Sequence, residues 1–255
     1  MKKNFLYSNF QFNSIKMKNE NRIRICQIVV IFSVLVLTDS CKKADEKDNL
    51  VTDKDNEVTD KDGNVYKTLT LGTQVWMAEN LKTTKYSNGD LIGTTTHATL
   101  DIHLETSPKY QWAYDGNENN VATYGRLYTW YAVTDSRNVC PAGWHIPGKT
   151  EWTALTTFLG DESVSGGKLK ETGTTHWLSP NSGATNESGF SALPGGGRDS
   201  YGGFFDIGRN GGWWSSDDYN ANNGWYFYLY NDYSNTNMPS DSKGNGYSVR
   251  CIKNN

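Results

Sequence analysis

Hydrophobic and polar positions are distributed unevenly along this 255-residue chain. An apolar run occupies residues 25–37, and residues 42–61 then contain no aromatic side chain. From Gly63 onward, short apolar stretches alternate with Gly, Asn, Ser and Thr. In NVYKTLTLGTQVWMAENL, Val65, Leu69 and Leu71 alternate with polar positions, Gly72-Thr73 supplies a turn, and residues 74–77 return. That pattern predicts a hairpin. Residues 84–120 are irregular and read as long loops, with a short strand near residues 109–114. RLYTWYAV, residues 126–133, suits either a buried strand or a short helix, and periodicity does not choose between them. After Pro147-Gly148, Trp152, Leu155, Phe158 and Leu159 fall at helical spacing. Gly148 is the expected N-cap, and Glu151 the returning half of a capping box. A second short helix is predicted over residues 167–171, and short strands over residues 172–255. The expected fold is a single α+β domain over residues 62–255, with short antiparallel strands, one or two helices and long loops.

Near the C-terminus, GGWWSSDDYNANNGWYFYLYND concentrates aromatic side chains. Read as a strand, GWYFYLY places Trp225, Phe227 and Leu229 on one face and Tyr226, Tyr228 and Tyr230 on the other. The first face is wholly apolar and is assigned to the core. The second is a ladder of amphipathic rings suited to carbohydrate or peptide recognition. Its alternative is burial beneath a neighbouring loop. Trp213 and Trp214 are adjacent, so they point to opposite sides, and at least one belongs in the core.

Composition sharpens this picture in two places. Hydrophobic residues make up 36% and aromatics 13%, with all nine Trp at Trp76 or later, so the core is built more from rings than from aliphatics. The net charge of −3 lacks the basic excess that binding nucleic acid requires.

The N-terminus reads as a targeting segment. Arg22 and Arg24 precede an apolar run of signal-peptide length, and LTDSCKK follows, with Ser40 immediately before Cys41. This resembles the lipobox of bacterial lipoproteins, in which that Cys is lipidated and becomes the mature N-terminus. Residues 1–40 are then the signal peptide, with Met17 the better start because KNENRIR follows it. Residues 41–61 are an acidic and lysine-rich tether with too little apolar surface to fold. Asp45 and Glu46 resemble the surface-export signal of some Gram-negative lipoproteins. DKDGN, residues 60–64, lacks the Gly and Glu positions of an EF-hand loop and reads as an Asp62-Gly63 turn.

With Cys26 in the signal peptide and Cys41 lipidated, Cys140 and Cys251 remain. In an oxidising compartment an isolated pair is expected to form a disulfide. The catalytic motifs searched for are not found. His97, His103, His145 and His176 are scattered, and His145 reads as a packed, hydrogen-bonded residue. No Ser stands in a G-x-S-x-G elbow, and PGGGRDSYGG lacks the residues of a phosphate loop. It reads as a tight turn, with Arg198 in a salt bridge.

DGNVYKTLTLGTQVWMAENLKTTKY, YGRLYTWYAV, CPAGWHIPGKTEW, GGKLKETG, GFSALPGGGR and GYSVRCI occur in this order. Together they resemble the Fibrobacter succinogenes major paralogous domain, found in secreted proteins and lipoproteins of Gram-negative bacteria. Gly148 departs from the Thr or Ser usual there. The segment from the paired Trp to S-V-R-C is more loosely similar to C-type-lectin-like domains, including the formylglycine-generating-enzyme type. That likeness implies a fold, and it brings calcium into view. Asp217, Asp218, Asn231 and Asp232 flank the tyrosine strand, and hard cations take about six to eight oxygens. Calcium therefore stays open, and no other cofactor is expected.

The expectation is a non-enzymatic binding or adhesion module. It is an outer-membrane lipoprotein, periplasmic or surface-exposed, with glycan or a surface protein as partner and the membrane reached through its lipid. The alternatives are an interaction domain with no small-molecule ligand and a degenerate enzyme of the formylglycine-generating type.

Overall fold

The computed structural model describes residues 56–255. The signal segment, Met17, Cys41 and the tether up to residue 55 lie outside them. Among the described residues no helix is long and apolar enough to cross a membrane.

The chain folds as an α+β domain of antiparallel strands and short helices. The first sheet contains β1 (Glu57–Thr59), β2 (Val65–Leu71), β3 (Gln74–Met77), β6 (Trp144–His145) and β13 (Ile252–Lys253), in the order β1-β2-β3-β13-β6. A second contains β4 (Gln111–Trp112), β5 (Leu127–Thr129), β7 (Gly197–Arg198), β8 (Phe204–Phe205) and β12 (Gly246–Tyr247), in the order β4-β5-β12-β7-β8. The third is β9 (Asn210–Asp218), β10 (Asn223–Tyr230) and β11 (Ser240–Ser242), with β10 in the middle. The helices are α1 (Val121–Tyr124), α2 (Trp130–Val133), α3 (Lys149–Phe158) and α4 (Glu162–Leu169).

The hairpin forms where the alternation places it, with Leu71 paired to Gln74 across Gly72-Thr73. Its facing differs from the expectation. Val65 is exposed, whereas Tyr66 is buried, with its hydroxyl donating to Asp60 at 2.5 Å and accepting from the amide of Lys82. A tyrosine with two such partners is a better core residue here than a Val that has none. Ordered structure also begins earlier than residue 62. Glu57–Thr59, assigned to the tether, pairs with β2, and Asp60 closes the intervening turn by accepting from the amides of Asp62 and Asn64.

RLYTWYAV turns out to be both strand and helix. Thr129 ends β5, and its Oγ1 accepts from the amide of Ala132, capping α2. The helix after Gly148 is present, with Glu151 accepting from the Gly148 amide at 2.8 Å. Gly148 has no side chain to complete the box. Asp217 substitutes for it from β9 by accepting from the amide of Lys149 at 2.5 Å. The second helix runs over Glu162–Leu169 rather than residues 167–171, starting at its N-cap Asp161. Gly166 and Gly167 lie inside it, because a Cβ at either would stand 2.4 Å or less from a backbone oxygen of Asn235 or Gly183. Arg198 makes no salt bridge among the described residues. Its fully buried guanidinium donates to the carbonyls of Ala98, Leu100 and Asp199 and lies 4.1 Å from the Trp112 ring.

Two aromatic cores lie on opposite sides of β3, β9 and β10. Met77 and Trp214 enter one, with Tyr66, Tyr128, Tyr247 and both cysteines; Trp76, Trp213, Phe227 and Leu229 enter the other, with Trp152 and Phe190. Both tryptophans of the WW pair are therefore core, as the alternation of a strand buried on both faces requires. Cys140 and Cys251 form a disulfide at a sequence separation of 111. It locks β13 between β3 and β6, so the last strand of the chain becomes an inner strand of the first sheet.

A loop of that length is worth roughly 4–5 kcal/mol by loop-closure entropy. The unreduced, denatured domain spanning residues 56–255 is expected to show no free thiol. Replacing both cysteines with Ala is expected to lower its unfolding free energy by about 3–5 kcal/mol, as read by urea denaturation.

Candidate functional site: the tyrosine face of the third sheet

Strand β10 has one face in the core and one turned outward. Phe227 and Leu229 are fully buried, and Phe227 stacks on Trp152 at 4.3 Å. Trp225 does not join them. The register between β9 and β10 shifts between Gly224 and Tyr226, and this irregularity turns Trp225 outward. There it is half-buried, with the Lys149 ammonium 3.7 Å above its ring and Tyr219 edge-on at 4.9 Å.

Tyr226, Tyr228 and Tyr230 share the other face, and all three are half-buried. Across the sheet they oppose Trp214, Gly212 and Asn210 of β9. Gly212 matters here because a Cβ on it would lie 2.7 Å from the Tyr247 ring. Its absence lets Tyr247 stack on Tyr226 at 4.5 Å with the planes 9° apart. Tyr247 in turn donates its hydroxyl to Asp241 at 2.6 Å. Tyr226 is thus wedged between Tyr247 and Trp214, and burial pushes its hydroxyl above the ordinary tyrosine range.

Tyr228 and Tyr230 have more freedom. Their rings are 6.0 Å apart, and the hydroxyls make no hydrogen bond among the described residues. Tyr233 extends the row at 6.1 Å from Tyr230 and is 60% exposed. Sequence alternation misses it because it lies beyond the strand, where the turn at Asn231-Asp232 returns it to the same face. The signal that could have found it is the Y-N-D-Y spacing, which a tight turn folds back. The row therefore contains four rings, three half-buried ones anchored at Tyr226 and an exposed one at Tyr233.

A buried lysine fixes the exposed end. Lys170, at the C-terminus of α4, donates its ammonium to the carbonyls of Ser182, Tyr230 and Tyr233 at 2.8–3.1 Å and is fully buried. Desolvation pulls it down to about 8.

The four residues considered for calcium are not brought together. Asp217 holds the amide of Lys149, and Asp218 pairs with the Lys243 ammonium at 2.5 Å. Asn231 and Asp232 follow the opposite end of β10. Its Nδ2 ties Asn231 to the carbonyls of Leu178 and Ser179. Six strand steps, about 20 Å, separate the two ends, so residues flanking one strand in sequence do not converge in space. Among the described residues no three His, Cys, Asp or Glu side chains are grouped to hold a metal ion. His145 is hydrogen-bonded through both nitrogens, to Asn254 and Glu151.

A third set of residues reaches the second core, at Trp213 and Phe190, from positions whose chain neighbours Leu81, Val249 and Cys251 lie in the first. Asn80 Oδ1 accepts from Arg250 Nε and Nη2 and from Trp213 Nε1, while its Nδ2 donates to the Tyr124 carbonyl. Arg250 also donates to the Phe190 carbonyl and lies 4.1 Å from the Phe190 ring. Asn80 comes from ENL, Tyr124 from YGRLYTW, Phe190 from GFSALPGGGR and Arg250 from SVRC, so four stretches far apart in sequence meet around the Asn80–Arg250 contact.

The Fibrobacter succinogenes major domain model matches residues 69–253. The chain belongs to that family. The match spans all four stretches meeting at Asn80 and the whole tyrosine strand. No curated protein and no solved structure matches the chain. The family name carries no activity, so the site of this major-domain protein must be argued from its geometry.

Because Lys170 is protonated up to about 10.4 in an unfolded chain and only to about 8 when folded, the unfolded state binds more protons between those values. Stability from this group therefore rises as pH climbs from about 8 to about 10.4. Urea denaturation at both ends of that window is expected to show the rise in the natural chain and its loss in Lys170→Met. Tyrosine ionisation is common to both chains and cancels in the difference.

Proposed function

We propose that this protein is a lipid-anchored envelope protein and a non-enzymatic binding or adhesion module, with glycan as the ligand of its tyrosine face. The observation that carries the reading is the row Tyr226–Tyr228–Tyr230–Tyr233. Consecutive rings lie 5.9–6.1 Å apart on one partly exposed face, with free hydroxyls in its outer part. Tyrosine gives stacking area and a hydroxyl at low entropic cost, and a sugar ring presents an apolar face with hydroxyls at its edge. The buried anchors at Tyr247 and Lys170 add preorganisation, since little freedom is left to lose on binding.

The anchor rests on Cys41 and the lipobox-like stretch before it, and the outer-membrane, surface-facing placement on that stretch and the family resemblance. A tether between Cys41 and the domain would let the tyrosine face reach ligands away from the bilayer. The looser lectin-like resemblance supports the same reading. The formylglycine-generating alternative requires reactive thiols, and the two cysteines of the domain are joined to each other.

A protein partner is the second reading. A shallow apolar depression of about 520 Å³ between the β2–β3 turn and α3 favours it, with Phe158 exposed at its edge. A glycan-array screen of the domain, with and without calcium, separates the two readings. The expected result is binding to an oligosaccharide that falls about tenfold or more in Tyr228→Ala and in Tyr230→Ala. Binding to no glycan, or unchanged binding in both variants, would refute the tyrosine face as a glycan site.

A further inference from the structure

A polar cleft lies apart from the row, between the loop at residues 102–108 and the Ser242–Gly244 turn that follows β11. Its volume is about 200 Å³. One wall is the His103 ring, backed from outside the lining by Tyr201, which stacks on it at 4.6 Å with the planes 26° apart. Glu105, Tyr131, Asn222 and Ser242 are among the other lining residues. No lysine or arginine lines it, which disfavours an anion as its occupant.

The loop carrying His103 is held firmly. The Ile102 side chain is buried, its amide donates to the Ser200 carbonyl at 2.8 Å, and buried Arg198 holds the carbonyls of Ala98 and Leu100. Asp101 lies 2.6 Å from His103 Nδ1, which in the neutral ring makes Nδ1 the donor and leaves Nε2 as an acceptor. Glu105 uses Oε2 to accept from the Tyr110 hydroxyl, leaving Oε1 unpaired. The Tyr131 hydroxyl and the Asn222 side-chain amide make no hydrogen bond among the described residues. Around the fixed His103 ring thus stand open acceptors, on Glu105 and the ring's own edge, and open donors, on Tyr131 and Asn222.

We propose that this cleft is a subsite for one neutral pyranose ring, its apolar face against the His103 ring and its hydroxyls shared among Glu105, Tyr131 and Asn222. A sugar hydroxyl both donates and accepts, which matches the mixed lining. Only the ligand class is shared with the tyrosine row; the residues are different.

Ligand-observed NMR on the intact domain tests the proposal, using methyl glycosides of glucose, galactose, mannose and N-acetylglucosamine, with glucosamine as the cationic arm. At least one neutral glycoside is expected to bind, about tenfold more weakly in His103→Ala and in Glu105→Gln. Each measurement is repeated in a Tyr228→Ala, Tyr230→Ala background, where the row no longer contributes and the dependence on the cleft residues is expected to persist. His103 and Glu105 are both exposed, so their substitution leaves the fold in place. The proposal is overturned if no neutral probe binds, if the two cleft variants bind like the natural chain, or if glucosamine is preferred. Because the row is tested with oligosaccharides and different variants, either site can fail without the other.

Discussion

A guanidinium buried without a carboxylate is expensive, and this fold is organised around accommodating one. Arg250 is fully shielded from water, and burial pulls it down to about 9, so it stays charged at neutral pH. Its charge is dispersed over the Asn80 amide oxygen, the Phe190 carbonyl and the faces of Phe190 and Trp213. These partners arrive from three parts of the chain, so satisfying this one cation requires the hairpin end, the Phe190 loop and β9 to meet, and Asn80 in turn ties down the α1 turn through the Tyr124 carbonyl. Cys251, next in sequence, carries the disulfide that fixes the final strand. Charge, amide and crosslink thereby constrain one point between the two aromatic cores.

The same device recurs at lower stakes. Arg198 and Lys170 are also fully buried and also donate to backbone carbonyls, at loops that strand pairing does not hold. In a chain with long loops, cations that gather carbonyls replace the missing ladders and satisfy acceptors that burial would otherwise leave unpaired. Through Lys170 the device reaches the tyrosine face by fixing the carbonyls of Tyr230 and Tyr233. Through Arg198 it holds the loop that carries His103.

Much of this was legible in the sequence, and the failures have physical causes. Local signals sufficed where one element decides its own structure: the β2–β3 turn, α3 with Glu151 reaching back to Gly148, and the alternation of β10 from Tyr226 onward. The cysteine pairing followed from elimination. Trp225 was misassigned because a register shift cannot be seen in a pattern of period two. Gly166 and Gly167 look like helix breakers, yet they sit in α4 because other backbones approach them closely. Arg198 was given a carboxylate it lacks, since its carbonyl partners carry no sequence signature. Tyr233 and the His103–Tyr201 stack depend on how turns and distant loops fold back, which no window of sequence contains.

The Asn80–Arg250 contact joins the two cores into one cooperative unit. Urea denaturation of Asn80→Ala, followed in parallel by tryptophan fluorescence and far-ultraviolet circular dichroism, tests it most directly. Removing the amide leaves three N–H groups of Arg250 and Trp213 without their acceptor. The predicted result is a loss of about 3–5 kcal/mol in a single transition seen alike by both probes. A loss under about 1 kcal/mol, the scale of one ordinary hydrogen bond, would contradict it, as would a natural chain whose two signals unfold separately.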